Sequence, residues 1–147
     1  MTLLETIRLI EEVAAAQPSV KMIVENDVFK LNGCPDALYG VFAFVQGQHT
    51  GVTDTDMITY NFSLFYVDRL KADKSNLLEV QSVGVQTLTN ILHCLDERGV
   101  YCDSYTMQVF NQRFADECAG VFCNVALQVL DTPCGEEFTT DNSIKII

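Results

Sequence analysis

The first segment of the chain has a helical pattern. Between residues 2 and 16, apolar side chains recur every three or four positions, and charged side chains take the opposite side. Thr2 with Glu5 three positions later fits a capping box, and Pro18 marks the turn that stops the helix. The pattern therefore predicts an amphipathic helix at the start of the chain.

Strand patterns follow this helix. Residues 19–33 mix β-branched and polar side chains around Asn26, which predicts a short strand, a turn and a short extended segment. Residues 39–46 and 57–67 are apolar or alternate at period two, and this predicts two longer strands. The polar, acidic residues 46–56 between them indicate a long hairpin with a tip that contributes nothing to the core.

A second helix is predicted after this hairpin. Asn76 and Glu79 read as a capping box, apolar spacing continues to Leu95, and Gly99 stands where a left-handed glycine ends a helix. Much of the other side of this helix is β-branched, at Val83, Val85, Thr87 and Thr89. Because a wet helix surface favours Glu or Lys, we expect this helix to be buried on two sides or to meet a partner.

The last regular segments alternate again. Residues 103–112 and 119–130 each place apolar side chains on one face, and the short link predicts antiparallel pairing. The order of elements predicts an α+β fold, an antiparallel sheet of about four main strands with an N-terminal and a long central helix packed on it. We expect residues 1–130 to form one domain. Residues 131–147 are a polar extension with an apolar end, which we expect to dock on a neighbour.

Composition narrows the class of protein. The chain has 147 residues, of which 48% are hydrophobic, enough for one core and too many for extensive disorder. Its 20 acidic and 9 basic residues give a net charge of −11, which argues against DNA wrapping. The acidic residues in the first segment argue against a signal peptide, and no apolar run approaches the roughly 20 residues that span a bilayer.

Candidate chemistry is sparse. The six cysteines form no C-x-x-C pair, so we expect mostly buried free thiols in a reducing cytosol rather than disulfides or a zinc site. The two histidines, His49 on a predicted loop and His93 in the helix, lack a recognisable catalytic neighbourhood. Asp54 and Asp56 resemble half of a calcium loop without its glycine and closing Glu, which favours solvated acids. We therefore expect no enzyme activity, metal or cofactor.

A charged cluster lies between the last two predicted strands, formed by Arg113, Phe114, Asp116 and Glu117. It is interpreted either as a charged turn that Phe114 anchors to the core or as a contact made of charges and an aromatic ring. The sequence leaves both interpretations open.

Three stretches resemble a known family. They are Tyr66-Val67-Asp68-Arg69-Leu70, the Asn76 cap followed by Gln81-Ser82-Val83-Gly84, and Arg113-Phe114-Ala115-Asp116-Glu117-Cys118-Ala119-Gly120. Within residues 57–130 the sequence is similar to small structural proteins from tailed phages of Bacteroides, including crAss-like phages. The element order also resembles tail-terminator and tail-completion proteins.

This resemblance implies a virion protein of the neck, the head–tail connector. Its subunits would close a ring of six or twelve copies, assembled in the bacterial host cytoplasm, that contacts portal, adaptor or tail proteins. DNA would pass through this ring without specific binding, and no membrane would be involved. The expected interface residues are Val83, Val85, Asp68, Arg69, Arg113, Phe114, Asp116, Ile144, Ile146 and Ile147. The expected channel-facing acids are Asp54, Asp56, Glu136 and Glu137.

A competing hypothesis comes from another class of protein. A small acidic α+β secretion chaperone also combines a sheet, helices and a low isoelectric point, and it would hold an extended client. Particle mass separates the two hypotheses, because a chaperone is a dimer, whereas a neck protein is a large ring or a monomer that awaits assembly.

Overall fold

A computed structural model of the chain describes residues 1–27, 39–111 and 117–130. Two helices and five strands form an α+β fold, as the sequence predicts. In chain order they are α1 (Leu3–Ala15), β1 (Met22–Glu25), β2 (Val41–Gly51), β3 (Met57–Arg69), α2 (Leu77–Glu97), β4 (Thr106–Asn111) and β5 (Cys118–Leu130). The strands make one sheet in the order β1-β2-β3-β5-β4.

The two predicted hairpins are confirmed, since β2 pairs antiparallel with β3, and β4 with β5. Central strand β3 also pairs antiparallel with β5, from Met57 opposite Leu130 to Arg69 opposite Cys118. The short strand β1 differs from the others because it pairs parallel with β2. The sheet is therefore mixed, a feature that the alternation within a single strand cannot reveal.

Both helices pack on one face of the sheet. The main core lies between them and the inward side chains of the central strands, which include Phe42, Phe44, Phe62, Leu64, Tyr66, Val121, Cys123, Val125 and Leu127. These positions alternate along each strand, as expected when one sheet face is buried against helices. A smaller apolar cluster lies on the opposite face, where the rings of Phe65 and Phe122 stack with their centroids 5.7 Å apart.

The helix ends test the predicted caps. In α1 the capping box is confirmed, since the Glu5 amide donates to Thr2 Oγ1 at 3.1 Å and the Thr2 amide to Glu5 Oε2 at 3.3 Å. In α2 it is wrong, because Asn76 makes no side-chain cap bond. Instead, Asn76 Oδ1 accepts from the Lys71 backbone amide at 2.8 Å and Asn76 Nδ2 donates to the Arg69 carbonyl at 3.3 Å, so the preceding loop engages this side chain. Gly99 has φ +87°, as predicted.

Two strand boundaries also differ from the prediction. Strand β2 continues to Gly51, past the point where residues 46–56 were expected to form a loop, because a bulge between Gln46 and His49 lets the ladder resume. Strand β4 begins at Thr106 instead of residue 103. Polar side chains are tolerated in both strands because they stand on exposed parts of the sheet.

Candidate subunit interface

One side of the molecule carries a surface without charged side chains. From Val80 to Leu95, α2 contains no Asp, Glu, Lys or Arg, and β4 contains none either. The two elements touch there, since Gln81 Nε2 donates to the Phe110 carbonyl at 3.3 Å. On a chain of net charge −11, this is an area where another acidic molecule could approach without direct repulsion.

Apolar side chains protrude from this area. Leu78 and Val85 lie one helical turn before and after Gln81 and are 78% and 38% exposed. Val109 of β4 stands opposite Val121, on the helix-covered face, and is 49% exposed. We call Leu78, Gln81, Val85 and Val109 the uncharged surface. Exposed aliphatic side chains without charged neighbours are typical of the centre of a protein–protein interface, where charged residues are depleted.

The two predicted interface valines have different positions. Val83 packs against the molecule's own core, whereas Val85 is exposed. On the same helix, Thr87 is buried and its hydroxyl lies 2.5 Å from Ser19 Oγ, beyond the end of α1. Helix α2 is therefore covered on a second side by its own chain, and only part of its β-branched surface remains open.

Asp68 and Arg69, also expected at an interface, are engaged within the subunit. Asp68 Oδ1 accepts from the backbone amides of Gly40 at 3.2 Å and Arg69 at 2.8 Å. The Arg69 guanidinium pairs with the Glu117 carboxylate and lies 5.7 Å from the centre of the Tyr39 ring. These contacts connect the start of β2, the end of β3 and the start of β5. Asp68 and Arg69 therefore stabilise the fold of the subunit, whether or not another subunit covers them.

Two glycines in the resemblance motifs have packing roles. A Cβ at Gly84 would lie 2.7 Å from Val121 Cγ2 and 3.0 Å from Tyr66 Cδ1, so its absence lets α2 approach the sheet. A Cβ at Gly120 would lie 1.8 Å from the Tyr66 carbonyl oxygen, which excludes any other residue at this backbone position. Both glycines therefore serve the fold around Tyr66.

The expected channel-facing acids are only partly within the described residues. Asp54 and Asp56 are exposed in the tip between β2 and β3, where no core forms around them. Glu136 and Glu137 lie outside the described residues, as do the predicted interface residues Arg113, Phe114, Asp116, Ile144, Ile146 and Ile147. Their roles remain predictions.

The histidines occupy ordinary structural settings. His49 lies in β2 rather than in a loop, and its ring meets the Tyr60 ring edge-on at 5.2 Å. Because its Nδ1 accepts from the Asn61 amide at 3.3 Å, the Nε2–H is the group that donates to Gln46 Oε1 at 3.0 Å. His93 is exposed on α2. Neither histidine is hydrogen-bonded to a Ser, Thr or Cys nucleophile among the described contacts.

The thiols of the described part of the chain, at Cys94, Cys102, Cys118 and Cys123, are free. Cys118 and Cys123 are buried, and the other two are partly buried. Burial, with the Cys102 thiol nearby, raises the pKa of Cys123 to about 12, and burial also raises the pKa of Cys118. Raised thiol pKa values disfavour the thiolate, which is the nucleophile and the metal ligand.

Sequence reasoning missed Leu78 and Val109 as surface residues. Leu78 lies within the predicted capping box, outside the apolar spacing of the helix, and Val109 shares a face of its predicted strand with Tyr105 and Met107, so neither was identified as exposed. The available signal was the absence of charged residues between Val80 and Leu95 and throughout β4, but these segments form one surface only when the fold brings them together.

Comparisons with known proteins add no relatives. No family model matches this chain, and the curated proteins compared with it give no match. Residues 1–27, 39–111 and 117–130 contain no group of three or more His, Cys, Asp or Glu side chains that could hold a metal ion. None of the helices in these ranges is long and apolar enough to cross a membrane.

Proposed function

We propose that this protein is a virion structural subunit that forms a closed ring in the head–tail connector of a tailed phage. The observation that carries the proposal is the uncharged surface, which exposes Leu78, Val85 and Val109 on a strongly acidic chain. The resemblance of residues 57–130 to phage structural proteins supports the same assignment. The ring joins the portal side to the tail, and its neighbours are the portal, adaptor or tail proteins of the same virion.

The charge of the chain supports a channel role. Asp54 and Asp56 stand on an exposed hairpin tip, and the net charge is −11. A negative lumen repels phosphate backbones, so DNA passes without adhering to the wall. In this proposal the tip faces the channel, together with Glu136 and Glu137.

A dimeric chaperone is the second candidate, and one observation favours it. Strand β4 is an uncharged edge strand, and such an edge can accept an extended peptide by strand addition. The chaperone hypothesis predicts a two-chain particle that binds a client, whereas the ring hypothesis predicts a particle with many chains.

Particle size is the decisive measurement. Mass photometry and negative-stain imaging of the purified protein should detect closed rings, and antibodies against the protein should label the neck of the phage particle. Stable dimers that bind an unfolded client would support the chaperone instead. Absence of the protein from purified virions would contradict the proposal.

The interface can be tested by Val85→Asp, with Val52→Asp on the hairpin tip as a matched control. Both valines are exposed, so both variants should keep the parent's circular dichroism spectrum and melting temperature. Only Val85→Asp places an unpaired charge in the proposed contact, where it should cost several kcal/mol. Rings of Val85→Asp as stable as those of Val52→Asp would exclude this surface as an interface.

The channel assignment has its own test. Replacing Asp54 and Asp56 with Lys should leave ring assembly intact and make the ring retain DNA at low salt, with release as salt increases. The same charge change at Asp96 and Glu97, exposed at the end of α2, is the control. Equal DNA retention by both double variants would argue against a channel position for the tip.

A further inference from the structure

The two outer strands of the sheet differ in their protection. Strand β4, at one edge, has six residues and no charged side chain. Natural sheets usually protect such an edge with Lys, Pro or a bulge, because an unprotected edge pairs with other strands. Within the described part of the sheet, β4 pairs with β5 alone. A strand added from another chain would therefore lie on the other side of β4.

The opposite edge of the sheet, formed by β1, has a groove beside it. Strand β1 has four residues, and a groove of about 350 Å³ lies between it and the end of α1, lined by Ala15, Val20, Lys21, Met22 and Ile23. Met22 is 41% exposed. Ala15 belongs to α1, and Ile23 stands opposite Phe42 of the main core, so the groove opens on the helix-covered side of the sheet. Val109, Leu78 and Val85 protrude on that same side of β4. Met22, opposite Val41, stands on the other face of the β1 edge.

We infer that β4 of one copy pairs with β1 of the next copy, so that the sheet continues from subunit to subunit. In this contact the protruding side chains of the uncharged surface enter the groove beside β1. The inference deepens the proposed function and rests on it, because a closed cyclic ring requires a head-to-tail contact between two different surfaces.

Charge does not oppose this pairing. The four side chains of the uncharged surface bring no acid into the contact, and among the described residues that line the groove Lys21 is the charged one. The acid of β1, Glu25, is paired with Arg8 of its own chain. Two molecules of net charge −11 therefore meet where one surface is uncharged and the other carries a base and an acid that is already paired. The backbone hydrogen bonds of two paired edges then fix the register of the contact.

Two edge-blocking variants provide the test, Val109→Lys on β4 and Met22→Lys on β1. Both side chains are substantially exposed, and each change makes the chain less negative, so lost assembly cannot come from a larger net charge. Val52→Lys, on the hairpin tip at 56% exposure, is the matched control. Circular dichroism and thermal melting should show that all three variants are folded.

Each blocked variant should shift the midpoint of assembly to about tenfold higher concentration or more, whereas Val52→Lys should assemble like the parent. Mixing the two blocked variants is the decisive step. Val109→Lys retains a working β1 edge and Met22→Lys retains a working β4 edge, so the mixture should form a two-chain complex with one chain of each, measured by native mass spectrometry.

The other outcomes overturn the inference in distinguishable ways. Rings formed by both blocked variants would reject the edge contact and leave the ring function standing. Homodimers of Met22→Lys that Val109→Lys cannot join would indicate β4 pairing with itself about a two-fold axis, and would favour the chaperone. A parent protein that stays monomeric at every concentration, both alone and with its virion partners, would count against the inference and the ring function together.

Discussion

The two helices pack on the same face of the sheet but are built differently. Helix α1 has a charged outer side, on which Arg8 pairs with Glu11 at 2.8 Å and with Glu25 at 2.9 Å. Helix α2 has no charged side chain between Val80 and Leu95 and places a glycine against the sheet. The first helix follows the usual pattern of a surface helix, and the second is covered by the sheet, by the end of α1 and, in our proposal, by another subunit.

This difference implies different sources of stability. Caps and exposed ion pairs contribute about 1 kcal/mol or less each, whereas a buried aliphatic side chain contributes several times more. We therefore expect substitutions at buried aliphatic positions of either helix, such as Ile10 in α1 and Leu88 in α2, to change the free energy of unfolding more than substitutions in the cap and ion pairs of α1.

The largest contrast should come from one chemical change made in both helices. Leu88 of α2 is fully buried, so Leu88→Ala leaves a cavity and should lower the free energy of unfolding by about 2–5 kcal/mol. Leu4 of α1 is 61% exposed, and Leu4→Ala should change it by about 0.5 kcal/mol or less. Urea unfolding followed by circular dichroism measures both values. Equal losses would contradict the placement of Leu88 in the core and of Leu4 on the surface.

A smaller contrast concerns added volume. Gly84→Leu forces side-chain atoms into the space held by Val121 and Tyr66 and should cost about 1–3 kcal/mol, despite the better helix propensity of Leu. Ala15→Leu adds a side chain at an exposed position at the end of α1 and should be close to neutral. If Gly84→Leu is as stable as the parent, the close approach of α2 to the sheet is not required.

Much of the fold could be predicted from the sequence because its signals are local. Helical spacing located both helices, alternation located the long strands, and the Thr2 cap and Gly99 turn depend on neighbouring residues only. The capping box at Asn76 failed because its side chain has a rival partner, the loop that starts at Lys71. The parallel pairing of β1 could not be predicted, since strand direction depends on the path of the whole chain.

The candidate site was less predictable for the same reason. Val85 was found because β-branching is unusual on a wet helix surface. Asp68 and Arg69 were assigned to an interface from a resemblance, whereas in the fold they bind Gly40 and Glu117 of the same chain. A charge that is paired inside the subunit looks the same in a sequence as one that awaits a partner.

Tyr66 contacts α2 and the segment just beyond α1, and its substitution should change the free energy of unfolding in a pH-dependent way. Its ring lies under Gly84, and its one hydroxyl proton is shared between two acceptors, Asp68 Oδ2 at 3.3 Å and the Ser19 carbonyl, beyond α1, at 3.5 Å. Tyr66→Phe removes these bonds and should lower the free energy of unfolding by about 1 kcal/mol at neutral pH. Urea titrations of parent and variant measure the difference.

The sign of the pH effect follows from the shifted proton equilibrium. Burial, with the Asp68 carboxylate nearby, raises the pKa of Tyr66 above its ordinary value of about 10. Above about pH 10 the unfolded chain binds fewer protons than the folded one. Titration of Tyr66 therefore lowers the free energy of unfolding of the parent by up to about 1.4 kcal/mol per pH unit. Tyr66→Phe lacks this loss, and the two stabilities should converge. If the free energies of unfolding of parent and variant keep the same difference up to the highest accessible pH, the raised pKa of Tyr66 is contradicted.

The smallest effect should come from the cap of α1. Thr2→Ala removes the oxygen that accepts from the Glu5 amide, and it should lower the free energy of unfolding by about 1 kcal/mol or less. Thr2→Ser keeps this oxygen and should retain the stability of the parent, so the pair separates the hydrogen bond from the packing of the methyl group.

Asn76→Ala is the counterpart in α2, where no cap bond exists and the loss would come from the loop before the helix. Amide hydrogen exchange distinguishes the two sites, because Thr2→Ala should increase exchange in the first turn of α1, whereas Asn76→Ala should increase it at Lys71. Faster exchange in the first turn of α2 after Asn76→Ala would show that the two helices begin in the same way.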